Sequence, residues 1–329
     1  MILDLPGDFR IIAALQACGD WLTPIMKFFT WLGYPQAYML IIAVIYWSID
    51  RKLGLRLGLY LPLLASLNSL LKQAFHAPRP YWLNPDINTP MVSNGFGMPS
   101  GHAQGATVWL YAACFVKKRV FWLVVIFLVF MIGISRVYLG VHFASQVVAG
   151  WLTGIALLVI AVRLEHSVLS WFLKKKLRSQ LLLLIGCTLL ILLLGAVIGW
   201  LWRNWEMPLE WIQNSERKLG DHGESILTSV GMGSVAGNAG GFLGVSLGAL
   251  LYHRKGWFSA GGKLWKRMLR SLVGLLILLG LFLLLMGISP EESSRLWYPV
   301  WRFGGFFLLA ISTVYGIPRM FSRIQWLEG

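Results

Sequence analysis

Long apolar runs separated by short polar loops recur along this whole chain, and Leu, Ile, Val and Phe dominate them. Several reach the roughly 18 to 20 residues that an α-helix needs to cross a hydrocarbon core of about 30 Å. The strict apolar–polar alternation of a membrane β-barrel is absent. The pattern predicts an all-α fold, a polytopic membrane helix bundle of about ten transmembrane helices near residues 10–32, 36–49, 54–75, 102–116, 120–136, 141–163, 180–202, 225–252, 268–287 and 297–317. Asp20 and Lys27 interrupt the first run, so an amphipathic helix lying in the membrane plane is a second reading of it.

Composition agrees with the pattern: 57% of the 329 residues are hydrophobic and only 13% are charged, too apolar for a soluble domain. Asp4 and Asp8 stand where a secretory signal carries Lys or Arg, so the first apolar segment is expected to be retained. Cys18, Cys114 and Cys187 lie far apart in apolar surroundings without metal-ligand spacing, and are expected to be small core residues.

A formal charge of +15 would point to nucleic acid in a soluble protein, but here the cations sit in short loops between spans. Placing those loops alternately on two sides gathers Arg51, Lys52 and Arg56, Lys117 to Arg119, Arg163, Lys174 to Lys176 and Arg178, the loop from Arg254 to Arg270, and Arg319 and Arg323 on one side, 19 of the 29 basic residues. The opposite side carries Asp86, Glu206, Glu210, Glu216, Asp221, Glu224, Glu291 and Glu292. The positive-inside bias makes the first side cytoplasmic, and no nucleic-acid partner is expected.

The chain divides near residue 165. Every chemically suggestive string lies before it; after it come apolar helices and the most basic loop. In that second half, Gly233, Gly237 and Gly241 form one four-residue ladder, and Gly240, Gly244 and Gly248 another. Such ladders let helix backbones approach closely in lipid, within one chain or across a homodimer seam through the Gly233 to Gly248 helix.

Three strings carry the chemistry: Lys72 with Arg79-Pro80, then Pro99-Ser100-Gly101-His102, then Ser135-Arg136 with His142. Ionisable groups at membrane depth or at its edge are costly and mark functional sites. Lys72 and Arg79 put two cations at one rim. Ser100 is placed as an N-cap, and the free N–H groups and positive dipole of the helix it opens form an anion cradle beside His102. Arg136 ends the fifth predicted helix and His142 begins the sixth, so all three strings open to one side of the bundle.

This K-x6-R-P, P-S-G-H, S-R-x5-H pattern resembles the type 2 phosphatidic acid phosphatase superfamily of membrane lipid phosphatases. The likeness covers residues 10 to 165. It implies a six-helix phosphatase core over residues 1–165 and a C-terminal membrane-helix extension over 166–329. It also implies that Lys72, Arg79 and Arg136 hold the phosphoryl oxygens with Ser100 and the Gly101 N–H, that His142 is the nucleophile forming a phosphohistidine, and that His102 protonates the leaving group, with no metal or other cofactor. The implied substrate is a phosphate monoester or diphosphate of a membrane lipid, met at the external face of a multi-pass cell-membrane protein.

One position departs from the family pattern. Where S-R-x5-H-x3-D ends in Asp, this chain has Gln146, four residues after His142 on the same helical face. Its Oε1 can accept the imidazole Nδ1–H and orient the ring, but it brings no negative charge. The alternative left open is a weakened or inactive lipid-phosphate binding protein. A transporter is a poorer reading, because outside this cluster the helices offer little polar lining beyond Asn68 and Asn238.

Overall fold

A computed structural model of the chain describes residues 5–91, 93–219, 231–290, 296–324 and 326. Asp4, Asp221, Glu224, Glu291, Glu292 and the expected start of the eighth span at 225–230 lie outside the described residues. Helices make up the described fold: α1 (Leu5–Gln16), α2 (Thr23–Leu32), α3 (Pro35–Ser48), α4 (Arg51–Phe75), α5 (Pro80–Leu83), α6 (Gly101–Val116), α7 (Arg119–Tyr138), α8 (Ala144–Leu173), α9 (Leu177–Leu201), α10 (Leu209–Leu219), α11 (Met232–Lys255), α12 (Leu264–Gly287), α13 (Trp297–Ile311) and α14 (Ile317–Arg323). The protein is an all-α, multi-pass membrane protein.

The expected count of about ten spans is not reached among the described residues. Among the described residues, seven helices are long and apolar enough to cross a bilayer, or up to eight if one bent pair is a single span. The chain expected to cross at 10–32 breaks at Gly19, and the piece from Asp20 to Leu32 meets α3 at an angle of 56°. The fourth expected span, α6, is 16 residues long, about 24 Å at 1.5 Å per residue, because Lys117 turns into the left-handed region and ends it. Exposed Leu182, Ile185, Leu189 and Leu193 run down α9, a face that only lipid can solvate.

By packing, the chain forms two compact units: residues 1–37, 67–163 and 195–231 in one, and 38–66, 164–194 and 232–329 in the other. In the first, α2, α6 and α7 pack together around Ala106, Ala113, Val125, Val129 and Ile132, with Ile12, Val137, Phe143 and Val147 forming an adjoining cluster. Asp8 of α1 accepts the Ser145 N–H and Ser145 O–H (3.0 and 2.5 Å), fixing the first turn of α8.

In the second unit, α11 and α13 pack so tightly that a Cβ on Gly240 would stand 2.1 Å from the Phe303 carbonyl oxygen, and one on Gly244 2.5 Å from that of Phe307. The glycine surface that offered a homodimer seam is therefore occupied by α13 of the same chain, the close backbone approach that small residues permit. Past α13 the helix widens into a π turn over Ser312–Gly316; Trp47 Nε1–H and Tyr46 O–H donate to the carbonyls of Thr313 and Val314 (2.8 and 3.0 Å). Gly240→Val should lower the thermal unfolding midpoint in detergent steeply, since relief of the overlap requires backbone movement worth about 1–3 kcal/mol or more. Gly280→Ala, where a Cβ meets nothing within 4 Å, should leave the midpoint unchanged.

Candidate active site

Lys72 stands in the last turn of α4, and its Nζ donates to the Phe96 carbonyl oxygen. Arg79 is held extended by the proline that follows it and that opens α5. Its guanidinium is only 2% exposed and all five N–H groups are taken. Nε donates to Gly95 O (2.6 Å), and Nη2 to Asn94 O (2.8 Å) and Phe96 O (3.3 Å). Nη1 donates to Val141 O (2.8 Å) and to His142 Nε2 (3.0 Å).

His142 reaches that position through a tight turn. Gly140 takes a φ of +67°, and the Val141 and His142 N–H groups both donate to the carbonyl of Arg136 (3.2 Å each). One carbonyl thus sets the nucleophile candidate beside a cation of its own string. Arg136 is buried at the end of α7, donating to Thr30 Oγ1 (3.3 Å) and Ser93 Oγ.

Gln146 is fully buried and its amide orientation is fixed twice over. The Phe143 N–H, a donor only, meets Oε1 (3.2 Å), and the Pro78 carbonyl, an acceptor only, meets Nε2 (2.7 Å). The His142 Nδ1 lies 3.0 Å from that same Oε1, so Nδ1 must carry the proton. The Arg79 guanidinium, which can only donate, faces Nε2, so Nε2 carries the lone pair. Burial first, then the charges of Arg79, Lys72 and Arg136, hold the His142 pKa well below the usual imidazole value, which keeps it neutral at pH 7. The Gly97 backbone packs so closely here that a Cβ on it would stand 2.4 Å from Gln146 Nε2.

The second imidazole comes from α6. Ser100 caps that helix, its Oγ accepting from Ala103 N (3.5 Å) while its own N–H donates to the Gln146 carbonyl (3.0 Å). The Gly101 and His102 N–H groups stand at the first two positions of the helix, where no intrahelical acceptor exists. The His102 ring packs edge-on against Tyr34 at 4.9 Å, and its Nε2 is buried without a hydrogen-bond partner among the described residues. Lys72, Arg79 and Arg136 act electrostatically on His102 as they do on His142. Among the described residues no carboxylate pairs with any of the three cations.

The structure thus brings together Lys72, Arg79, Ser100, Gly101, His102, Arg136, His142 and Gln146. Sequence reasoning missed the bracing around them. Asn68 donates to Pro99 O (3.2 Å) and Gln104 Oε1 (2.6 Å), and its Oδ1 lies 3.0 Å from where a Gly101 Cβ would be. A polar pair on two apolar helices was the available signal. The carbonyls of Asn94 to Phe96, which hold two of the cations, leave no signal in side-chain identity.

Three cations, two imidazoles and a helix N-terminus at the ends of apolar helices define a membrane phosphatase. Residues 53–169 match the PAP2 superfamily, and residues 236–328 match the PAP2 superfamily phosphatase transmembrane extension. The chain thus carries a PAP2 superfamily domain followed by that superfamily's transmembrane extension, and is a phosphoric-ester hydrolase by class. Among its relatives, an undecaprenyl-diphosphatase of Sulfolobus acidocaldarius is 25% identical over 161 residues, 49% of this chain and 75% of that one. Glucose-6-phosphatase 3 of Bos taurus is 26% identical over 272 residues, 74% of this chain and 75% of that one. The crystal structure of a transmembrane PAP2 type phosphatidylglycerolphosphate phosphatase from Bacillus subtilis shares 26% identity, covering 50% of this chain and 86% of that one at a TM-score of 0.43.

Two outcomes follow. With the protein selectively labelled at histidine nitrogens, His142 should appear at pH 6 as the neutral Nδ1–H tautomer; an imidazolium there would contradict the burial and charge argument. Gln146→Glu, which sets a carboxylate oxygen against the Pro78 carbonyl, should lower phosphatase turnover at least about tenfold, by analogy with the loss of other His-orienting groups.

Proposed function

We propose that this protein is a metal-independent phosphatase acting on a membrane lipid carrying a phosphate monoester or diphosphate, with turnover through a phosphohistidine at the external face. The observation that carries the reading is the His142 tautomer, whose lone pair at Nε2 is aimed among three unneutralised cations. Lys72, Arg79, Arg136 and the N-terminal N–H groups of α6 take the equatorial oxygens, where charge gathers in phosphoryl transfer. As substrate settles, the Arg79 Nη1–H turns from His142 Nε2 to donate a hydrogen bond to a phosphoryl oxygen, the guanidinium keeping its proton, and the nucleophile is released.

The His142 Nε2 lone pair then forms the N–P bond as the P–O bond to the lipid alcohol or phosphate breaks. His102, protonated once the charge of the bound phosphate offsets the three cations, gives its proton to the leaving oxygen. In the second half, neutral His102 takes a proton from water as the water oxygen attacks phosphorus and the N–P bond breaks. Inorganic phosphate leaves and His142 is restored.

Support for a lipid substrate comes from the position of the strings at the ends of helices whose outer faces are apolar, and from relatives such as the undecaprenyl-diphosphatase. The external placement rests on the loop charges: 19 of the 29 basic residues fall on the opposite side. Gln146 favours the enzyme over a binding protein, because it orients His142 as a catalytic imidazole requires.

Purified protein in detergent with EDTA should release inorganic phosphate from a panel of lipid phosphates and diphosphates, and His142→Ala should abolish that release. Arg79→Lys should reduce it about 10²- to 10³-fold, the usual cost of losing a preorganised donor to the reacting group. A wild type silent on every substrate would reject the hydrolase. For sidedness, single cysteines at Asn88 and Lys175, in a background lacking Cys18, Cys114 and Cys187, should react with an impermeant thiol reagent from outside and from inside respectively; the reverse would invert the orientation.

A further inference from the structure

The site described above is buttressed by a segment that belongs to neither matched region. Between residues 169 and 236, the chain leaves α9, turns at Trp202–Trp205 and runs through α10, and this stretch packs on the loop that carries the phosphate-binding cations. Trp205, Met207, Trp211 and Ile212 lie against a buried cluster that contains Trp82 and Phe96. Phe96 is the pivot. Its carbonyl accepts from both Lys72 and Arg79, while its ring is boxed by Trp205 at 5.6 Å, Trp82 at 6.1 Å and His76 at 4.5 Å.

The far end of the segment is fastened too. α10 turns Trp211, Asn214, Ser215 and Lys218 to one face and leaves Gln213, Glu216 and Arg217 exposed, the i, i+3, i+4, i+7 spacing of a helix seated on a surface. Asn214 donates to Trp82 O (2.9 Å), and Lys218 Nζ donates to Pro85 O (3.2 Å) and Ile87 O (2.8 Å). These are carbonyls of α5 and the turn after it, directly downstream of Arg79. Between the two fastenings, His76 holds a left-handed φ of 46°, with its ring 4.7 Å from Trp202 and 4.5 Å from Trp205. A non-glycine residue keeps such a backbone only where its surroundings impose it, and here the surroundings include the strap.

We propose that residues 202–218 form a strap that positions the phosphate site, with Trp205 setting the placement of Lys72 and Arg79 through Phe96. Trp205 is a positioning residue: it fixes the ring of Phe96, the ring fixes the carbonyl, and the carbonyl fixes where two cations point. The proposal rests on the phosphate-site reading but not on turnover, because oxyanion binding alone reports cation geometry.

The test is the affinity of the full chain in detergent for inorganic phosphate, by calorimetry at constant ionic strength. Trp205→Ala should weaken phosphate binding about tenfold, near the upper end of what a lost aromatic contact is worth, whereas Trp205→Phe should stay within about twofold of wild type. Thermal midpoints should stay within a few degrees. Should Trp205→Ala fail to fold, the double variant Asn214→Ala with Lys218→Met, which cuts only the far fastening, should still weaken phosphate binding about threefold. Unchanged affinity in a folded Trp205→Ala, or in the double variant where that one fails to fold, overturns the strap's role, as does equal weakening by Trp205→Phe. A wild type that binds phosphate in a Trp205-dependent way yet releases none from any ester would sink the hydrolase and keep the strap.

Discussion

Everything in the first unit answers to one electrostatic constraint: three cations close together, Arg79 and Arg136 buried and Lys72 half-buried, with no carboxylate paired to them among the described residues. Charges removed from water need partners, and a buried like-charged set is unfavourable unless dipoles or an anion offset it. Here backbone carbonyls do the holding. Those of Asn94, Gly95, Phe96 and Val141 take four of the five Arg79 hydrogens, and Phe96 takes Lys72 as well. Carbonyl dipoles stabilise the guanidinium without cancelling its net charge, so the pocket stays positive and selective for a multiply charged anion. A carboxylate in the same place would have closed the site with a salt bridge.

Gln146 belongs to the same logic. An Asp at this point would bring a negative charge into the pocket and could accept the imidazole proton, but it could not donate to Pro78. The amide does both jobs, accepting from His142 and Phe143 on one side and donating to the Pro78 carbonyl on the other. The residue thereby links the tautomer of His142 to the chain just before Arg79. Loss of the carboxylate's charge is matched by a gain in geometric definition, since each amide atom has a partner of only one polarity.

Much of this was legible from residue types. Most of the helices stand within a few residues of the expected ranges, because apolar runs bounded by Lys, Arg, Pro and Gly leave little freedom in where a membrane helix starts and stops; the exceptions are the broken first span and α8, which runs ten residues past its expected end to Leu173. The three strings converge because they terminate neighbouring helices at one end. What sequence could not convey were events with no side-chain signature: the break between α2 and α3, the shortness of α6 once Lys117 adopts a left-handed cap, and the carbonyls that hold the cations. The glycine ladders were read correctly as a close-packing surface, but spacing alone is blind to which helix fills it. Phe303 and Phe307 of α13 do so through their backbone.

The strap is the part least visible in sequence, and the reason is physical. Its tryptophans lie in a stretch with Glu206, Glu210 and Glu216, which reads as an ordinary interfacial loop where aromatic residues anchor at the headgroups. Trp202 is in fact 40% exposed, compatible with that role, while Trp205 three residues on turns inward against Phe96 and His76. An anchoring loop needs only amphipathic rings, whereas a loop that also fixes the carbonyl holding two cations needs one ring at one place. Asn214 and Lys218 supply that registration by bonding to backbone rather than to side chains, so they constrain the position of α5 whatever residues it carries. A phosphate loop clasped from both ends in this way is rigid before substrate arrives, and preorganised donors are the ones worth most when charge develops on a transferring phosphoryl group.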